Sequence, residues 1–182
     1  MSTIKIVAIP GSLRKASLTA RLMRSLQSLA PDDVEIDIFY LDDVPLYNQD
    51  VENEGFPESV VALREAIAGA DGVIFATPEY NGAMTGVIKN AIDWASRKGA
   101  LAKKPVAPIT GSTGALGATK AQQSLRLVLE HLGMYILTRP QIAVPYLDKA
   151  LADDDTIADE RTAQFVGSWL ETFRDWIVQL SK

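Results

Sequence analysis

The chain of 182 residues contains no cysteine. Disulfides, thiolate nucleophiles and cysteine-ligated metals are excluded together. Histidine is nearly absent as well, with His131 standing alone. It sits late in a helical stripe without a partner motif, which reads as a structural or surface position. No Gly-x-Ser-x-Gly elbow occurs, so a Ser-His-Asp triad has no support. No run approaches the roughly 20 apolar residues that span a bilayer, and membrane insertion is not expected. A basic leader with a long apolar stretch is missing from the N-terminus, so a cytoplasmic protein is expected. Positive charge is scarce too: the net charge is −5 and basic residues do not cluster. That argues against a nucleic-acid surface and leaves any anionic cofactor to be held by local groups.

What is present is an alternation of short apolar runs and helical stripes. Strands are expected at Ile4–Ile9, Val34–Phe39, Gly72–Ala76 and Pro105–Thr110. A last one falls near Tyr135–Leu137 or Gln141–Val144. Several are apolar at consecutive positions, as in strands covered on both faces. Val34–Phe39 alternates with Glu35 and Asp37, which suits a sheet edge. Helical spacing links Leu18, Leu22, Leu26 and Leu29. It also links Val60, Leu63 and Ile67, with Pro57 just inside that start and Gly69 just past the end. Leu125, Leu129 and Leu132 form a further stripe. The aromatic stripe Phe165, Trp169, Phe173 and Trp176 reads as core packing. Leu41–Phe56 reads as an irregular surface loop. Asp153-Asp154-Asp155 lacks the spacing of a calcium loop and reads as a solvated acidic run leading a helix. Lys89 and Asp93 are placed to pair along a helix face.

The β-α-β-α order implies parallel strands joined by right-handed crossovers. The expected fold is α/β, a flavodoxin-like three-layer sandwich. Its five-stranded parallel sheet has the order 2-1-3-4-5, in one domain over residues 1–182. In that order the ligand crevice lies beyond strands 1 and 3. Two informative segments follow those two strands. After the first comes Gly11-Ser12-Leu13-Arg14-Lys15-Ala16-Ser17-Leu18-Thr19. Hydroxyls from Ser12, Ser17 and Thr19 gather at a helix start, with the planar cation of Arg14 beside them. Those are the donors a phosphate needs. Walker A spacing and the Gly-x-Gly-x-x-Gly fingerprint are both missing, which argues against an ATPase and a Rossmann-type NAD site. After strand 3 comes Pro78-Glu79-Tyr80-Asn81-Gly82, a polar loop able to hold a flat polar ring; alternatively Glu79 only caps the turn. Together the two loops point to a nucleotide-like cofactor, most specifically FMN.

The pair Gly-Ser-Leu-Arg-Lys-x-Ser and Pro78-Glu79-Tyr80-Asn81-Gly82, continued through Ala83–Trp94 and Gly111–Gly117, resembles the NADPH-dependent FMN reductase family. Within that family the chain is similar to bacterial chromate and quinone reductases. The resemblance implies that Ser12, Arg14, Ser17, Leu18 and Thr19 surround the FMN phosphate. It implies that Pro78, Glu79, Tyr80, Asn81 and Gly82 line the isoalloxazine, with Ser112 and Gly114 closing the third side. Thr19 stands where the family usually has Asn, and Ala118 where the second Gly of a pair is common. The expected activity is hydride transfer from NADPH or NADH through FMN to a small-molecule acceptor. Quinones lead, with azo and nitro compounds and chromate on the family's list. No catalytic side chain is expected, because the flavin carries the chemistry. A homodimer or homotetramer is implied, with apolar positions in Ala83–Trp94 and the helix near Ala118 as contact surface. A flavodoxin-type one-electron carrier shares the fold, but its phosphate turn differs. A receiver module needs an Asp at the end of a central strand, whereas Asp71 precedes one.

Overall fold

The computed structural model describes residues 3–181. Strands β1 (Ile4–Pro10), β2 (Val34–Ile38), β3 (Gly72–Thr77) and β4 (Pro105–Gly111) pair in parallel in the order β2-β1-β3-β4. Every residue of β3 is buried, as its uninterrupted apolar run requires of a central strand. In β2, Val34 and Ile36 are buried while Glu35 and Asp37 face solvent, matching its place at the edge.

The far edge departs from a simple fifth strand. Both candidate segments pair with β4: β5 (Tyr135–Ile136) at its start and β6 (Ile142–Val144) at its end. The chain between them leaves the ladder. Pro140 has no N–H to give a strand, and the Leu137 carbonyl accepts a hydrogen bond from Arg126 at 2.7 Å. The sheet therefore has six strands, with the fifth position shared by two short ones.

Helices cover both faces. α1 (Leu18–Ser28) and α7 (Glu160–Leu180) pack on one side through Leu22, Leu26, Trp169 and Phe173. The close fit is visible at Gly72, where a Cβ would lie 2.5 Å from Ile177 Cδ1. α3 (Glu58–Gly69), α4 (Gly86–Ala95) and α5 (Thr119–His131) cover the other side through Leu63, Ile67, Ile92 and Leu125. Pro57 is the cap of α3 and not its first residue, and Gly69 is its last residue. In the aromatic stripe of α7, Trp169 and Phe173 are buried but Phe165 is exposed. α6 (Leu147–Ala150) is a single turn after β6.

Two further expectations change. The stretch Leu41–Phe56 is not wholly irregular: α2 (Gln49–Glu54) forms there, with Asn48 accepting from the Asp50 amide at 2.9 Å. Nor is it loose. Asn90 Nδ2 and Trp94 Nε1 on α4 both donate to the Pro45 carbonyl at 2.8 Å, and Asn90 Oδ1 accepts from the Tyr47 amide. The acidic run is solvated at Asp153 and Asp154, but it does not lead directly into a helix and its third residue is engaged. α7 starts later, capped by Asp159, and Asp155 pairs with Arg21 and Arg24 of α1. Burial opposes ionisation of Asp155, but these two guanidinium hydrogen bonds hold its carboxyl below the ordinary range. Ile88, Ala91, Ile92, Trp94 and Ala95 of α4 are buried in the chain's own core, while Val87, and Ala83 and Met84 before the helix, are only partly buried. Lys89 and Asp93 do pair, at 2.7 Å.

Candidate functional site

The carboxyl ends of β1, β3 and β4 open into one cleft of about 150 Å³, lined by the three loops that follow those strands. This is where strand order reverses between β1 and β3.

The first loop is held tightly at its base. The Gly11 amide donates to the Ala76 carbonyl at 2.7 Å, and a Cβ on Gly11 would fall 2.3 Å from Ile88 Cγ1. Only glycine lets the turn start this close to β3 and α4. Ser17 then caps α1. Its Oγ accepts from the Ala20 amide at 3.2 Å and lies 3.0 Å from Thr19 Oγ1. The first amides of α1, at Leu18 and Thr19, belong to those a helix cannot pair with itself. No acidic side chain occupies the first turn of α1. Arg14 is exposed, and among the described residues it forms no ion pair. A helix start with hydroxyls, a spare guanidinium and no competing carboxylate suits a phosphate dianion.

The second loop is a tight reversal. Tyr80 and Ala83 exchange backbone hydrogen bonds at 3.0 and 3.2 Å, while Asn81 (φ 54°) and Gly82 (φ 75°) occupy left-handed conformations. That is the Asn-Gly preference of a two-residue turn. The amides of Asn81 and Gly82 lie outside the bridge, at its tip. Glu79 has a fixed task. Its Oε2 accepts from the amides of Lys120 and Ala121 at 3.1 and 3.2 Å, capping α5. The cap residue Ala118 has no side-chain acceptor of its own and stands at φ 66°. Glu79 thus lines the cleft and also fastens the second loop to the third.

The third loop runs from Gly111. The Ser112 amide donates to the Val144 carbonyl, and Ser112 returns its own carbonyl to the Leu147 amide at 2.9 Å. The Gly114 amide donates to Ser112 Oγ at 3.3 Å. Gly117 (φ 58°) packs on the backbone of β6, where a Cβ would meet the Ala143 carbonyl carbon at 2.7 Å.

Of the expected residues, Ser12, Arg14, Leu18, Thr19, Pro78, Glu79, Tyr80 and Ser112 line the cleft. Ser17 is buried as the cap. Asn81 and Gly82 form the exposed tip of the second turn, and Gly114 lies farther along the third loop. Gly111 and Thr113 also line the cleft, though the motifs did not single them out. Thr85 was missed altogether. Its Oγ1 donates to the Gly11 carbonyl at 2.7 Å, and its amide donates to Thr77 Oγ1 at 3.2 Å. It ties the first loop to the second. In sequence it looks like an ordinary helix cap, and only the fold brings Gly11 to it. His131 is exposed at the end of α5, away from the cleft. Among the described residues no cluster of His, Asp and Glu could hold a metal ion, and no helix is long and apolar enough to cross a membrane.

A parallel α/β sheet in the order β2-β1-β3-β4, with the loops after β1, β3 and β4 gathered at its switch point, is a flavodoxin-like fold. The chain matches the family described as NADPH-dependent FMN reductase over residues 4–148. It belongs to that family. It is 36% identical over 179 residues to an NAD(P)H-dependent FMN reductase of Pseudomonas aeruginosa, covering 97% of both chains. It is 37% identical over 179 residues to a quinone reductase of Escherichia coli K12, covering 96% of this chain and 95% of that protein. Among solved structures it resembles FerB, a flavoenzyme NAD(P)H:acceptor oxidoreductase from Paracoccus denitrificans. That match has TM-score 0.90 and 39% identity over 97% of this chain and 98% of the other.

Proposed function

We propose that the protein is an NAD(P)H-dependent FMN reductase that passes electrons to quinones. The observation that carries this reading is the spare Arg14 beside the start of α1, facing a cleft shared with the Pro78–Gly82 loop. Family membership supports it, and so does the similarity to proteins named for NAD(P)H-dependent and quinone reduction. Bound FMN would supply hydride acceptance at its ring and transfer to the second substrate.

The chain's own residues would do the holding. Ser12, Arg14, Ser17, Leu18 and Thr19 would take the phosphate, through hydroxyls, a guanidinium and helix amides. Pro78, Glu79, Tyr80, Asn81 and Gly82 would bound the ring from one side, and Ser112 and Gly114 from the other. The amides of the Asn81–Gly82 tip would donate to the ring's polar edge. Thr85 and Glu79 would keep the three loops at fixed separation, so that little reorganisation accompanies binding. A one-electron carrier would need none of the room for a second substrate that an exposed Tyr80 leaves at the cleft's mouth.

The same reading makes the protein a homodimer or homotetramer in the cytoplasm, where NAD(P)H is regenerated. With α4's apolar face turned inward, the contact would use exposed side chains such as Leu116 and Leu127. The test is direct. Purified protein should bind about one FMN per chain, NADPH or NADH should bleach the flavin, and a quinone should restore it. Unchanged flavin fluorescence on mixing, or a flavin that neither donor bleaches, would refute the proposal.

A further inference from the structure

Beside the cleft lies a second, larger depression of about 440 Å³. Leu13, Leu41, Val44, Leu46 and Val87 form its walls, and Tyr80 belongs to both the depression and the cleft. Leu46 is 84% exposed, unusual for a leucine in a loop otherwise pinned to α4. The two polar residues at its floor are already engaged. Thr85 Oγ1 donates to the Gly11 carbonyl, and Asn90 uses its amide on Pro45 and Tyr47. The groove therefore offers neither a charge nor a free hydrogen-bonding side chain apart from Tyr80 at the shared wall. The only ionisable groups on the loop between its walls are Asp42 and Asp43, both exposed. Arg14 and Lys15 follow Leu13 on the opposite wall, so what disfavours an anion here is the apolar lining and not the local charge.

From these features we infer that the groove holds the apolar ring substituent of a neutral quinone whose reacting ring lies at the mouth of the adjoining cleft, which FMN itself would fill. This rests on the function proposed above and adds a substrate class: alkyl- or aryl-substituted quinones over anionic acceptors. Continuity through Tyr80 argues for this occupant, because a substituent on a ring at the cleft's mouth meets this apolar groove across the shared Tyr80 wall. Nothing in the groove would hold the phosphates of a pyridine nucleotide.

Gly86 supplies the test. It lines the groove at the first turn of α4, and a Cβ there would have no atom within 4 Å. Gly86→Leu thus fills the groove from a position with room for the new side chain, and leucine favours the helix over glycine. Dissociation constants of 2-methyl-, 2-ethyl- and 2-propyl-1,4-naphthoquinone would be measured on the oxidised, FMN-loaded protein without NAD(P)H, from the shift in flavin absorption. In the wild type each methylene should tighten binding by about fourfold, from the transfer value of a buried methylene. In Gly86→Leu that gradient should vanish. Leu46→Ser, at a site too exposed to matter for folding, should roughly halve it on a logarithmic scale. A 2-sulfonate in place of the alkyl group should bind worse than unsubstituted naphthoquinone.

A flat alkyl series in the wild type would overturn the inference, as would an equal gradient in wild type and Gly86→Leu, or a sulfonate that binds as tightly as the propyl compound. A fall in sedimentation coefficient for Gly86→Leu would also overturn it, since the groove would then be a contact between copies. Failure to load FMN would sink the underlying function instead, so the two failures are distinguishable.

Discussion

Replacing Arg14 by alanine tests the phosphate assignment most sharply. The side chain is exposed and has no ion-pair partner among the described residues. Its loss leaves no cavity and no stranded carboxylate, so the apoprotein should unfold within about 0.5 kcal/mol of the wild type. A charge-assisted hydrogen bond to a phosphate is worth on the order of 1.5–3 kcal/mol. Because Arg14 stands at the solvent rim, the lower end applies. FMN should bind about tenfold more weakly, at about 1.4 kcal/mol per decade. Riboflavin has the same ring without the phosphate, and its weaker binding should not change. FMN affinity should also lose part of its dependence on salt, since one screened attraction is gone. Fluorescence titration of both flavins at two ionic strengths would decide the matter. An equal loss for FMN and riboflavin would refute the reasoning, because Arg14 would then serve the ring or the fold.

Three further outcomes are expected. Glu79→Ala removes the side chain that caps α5 and should cost about 1 kcal/mol. That corresponds to a fall of roughly 2–4 °C in apoprotein Tm, and Glu79→Gln should recover most of it, because an amide oxygen still accepts from the Lys120 and Ala121 amides. Gly117→Ala combines a left-handed φ of 58° with a Cβ placed 2.7 Å from the Ala143 backbone. It should destabilise by about 2 kcal/mol or more in urea unfolding; a neutral result would mean that β6 and the third loop are looser than they stand. Acid should weaken the fold through Asp33 and Asp155. A hydrogen bond from Arg174 holds Asp33 below its ordinary range; for Asp155, burial opposes the shift and the bonds from Arg21 and Arg24 outweigh it. Both groups have lower values folded than unfolded, so their contribution is complete above the ordinary carboxylate value. It is lost as pH falls through the folded one. Asp33→Asn should accordingly flatten the acid limb of a stability profile below about pH 4, and an unchanged limb would count against the Arg174 pair.

Local chemistry carried much of this protein into view. The buried strands β1, β3 and β4 were legible because a strand covered on both faces must be apolar throughout, and the edge strand β2 because one face meets water. The turn after β1 was legible as a helix start for a similar reason: the Ser17 cap must lie next to the helix it serves, so the two are neighbours in sequence. What stayed hidden depends on contacts between distant segments. Glu79 reads as a ring or turn residue until α5 arrives with an uncapped end. Asp155 reads as solvated until α1 presents Arg21 and Arg24, 134 and 131 positions away. The shared fifth strand position arises because two short segments each pair with a different end of β4, which no local pattern shows. The apolar groove is assembled from the first loop, the stretch after β2 and the start of α4, and each part alone looks like scattered surface leucine and valine. Sequence by itself determined the strand and helix faces, the parallel order and the capped start of α1, since periodicity and adjacency express them. Tertiary structure alone decided which caps, ion pairs and cavities exist, because those arise only when separate elements meet.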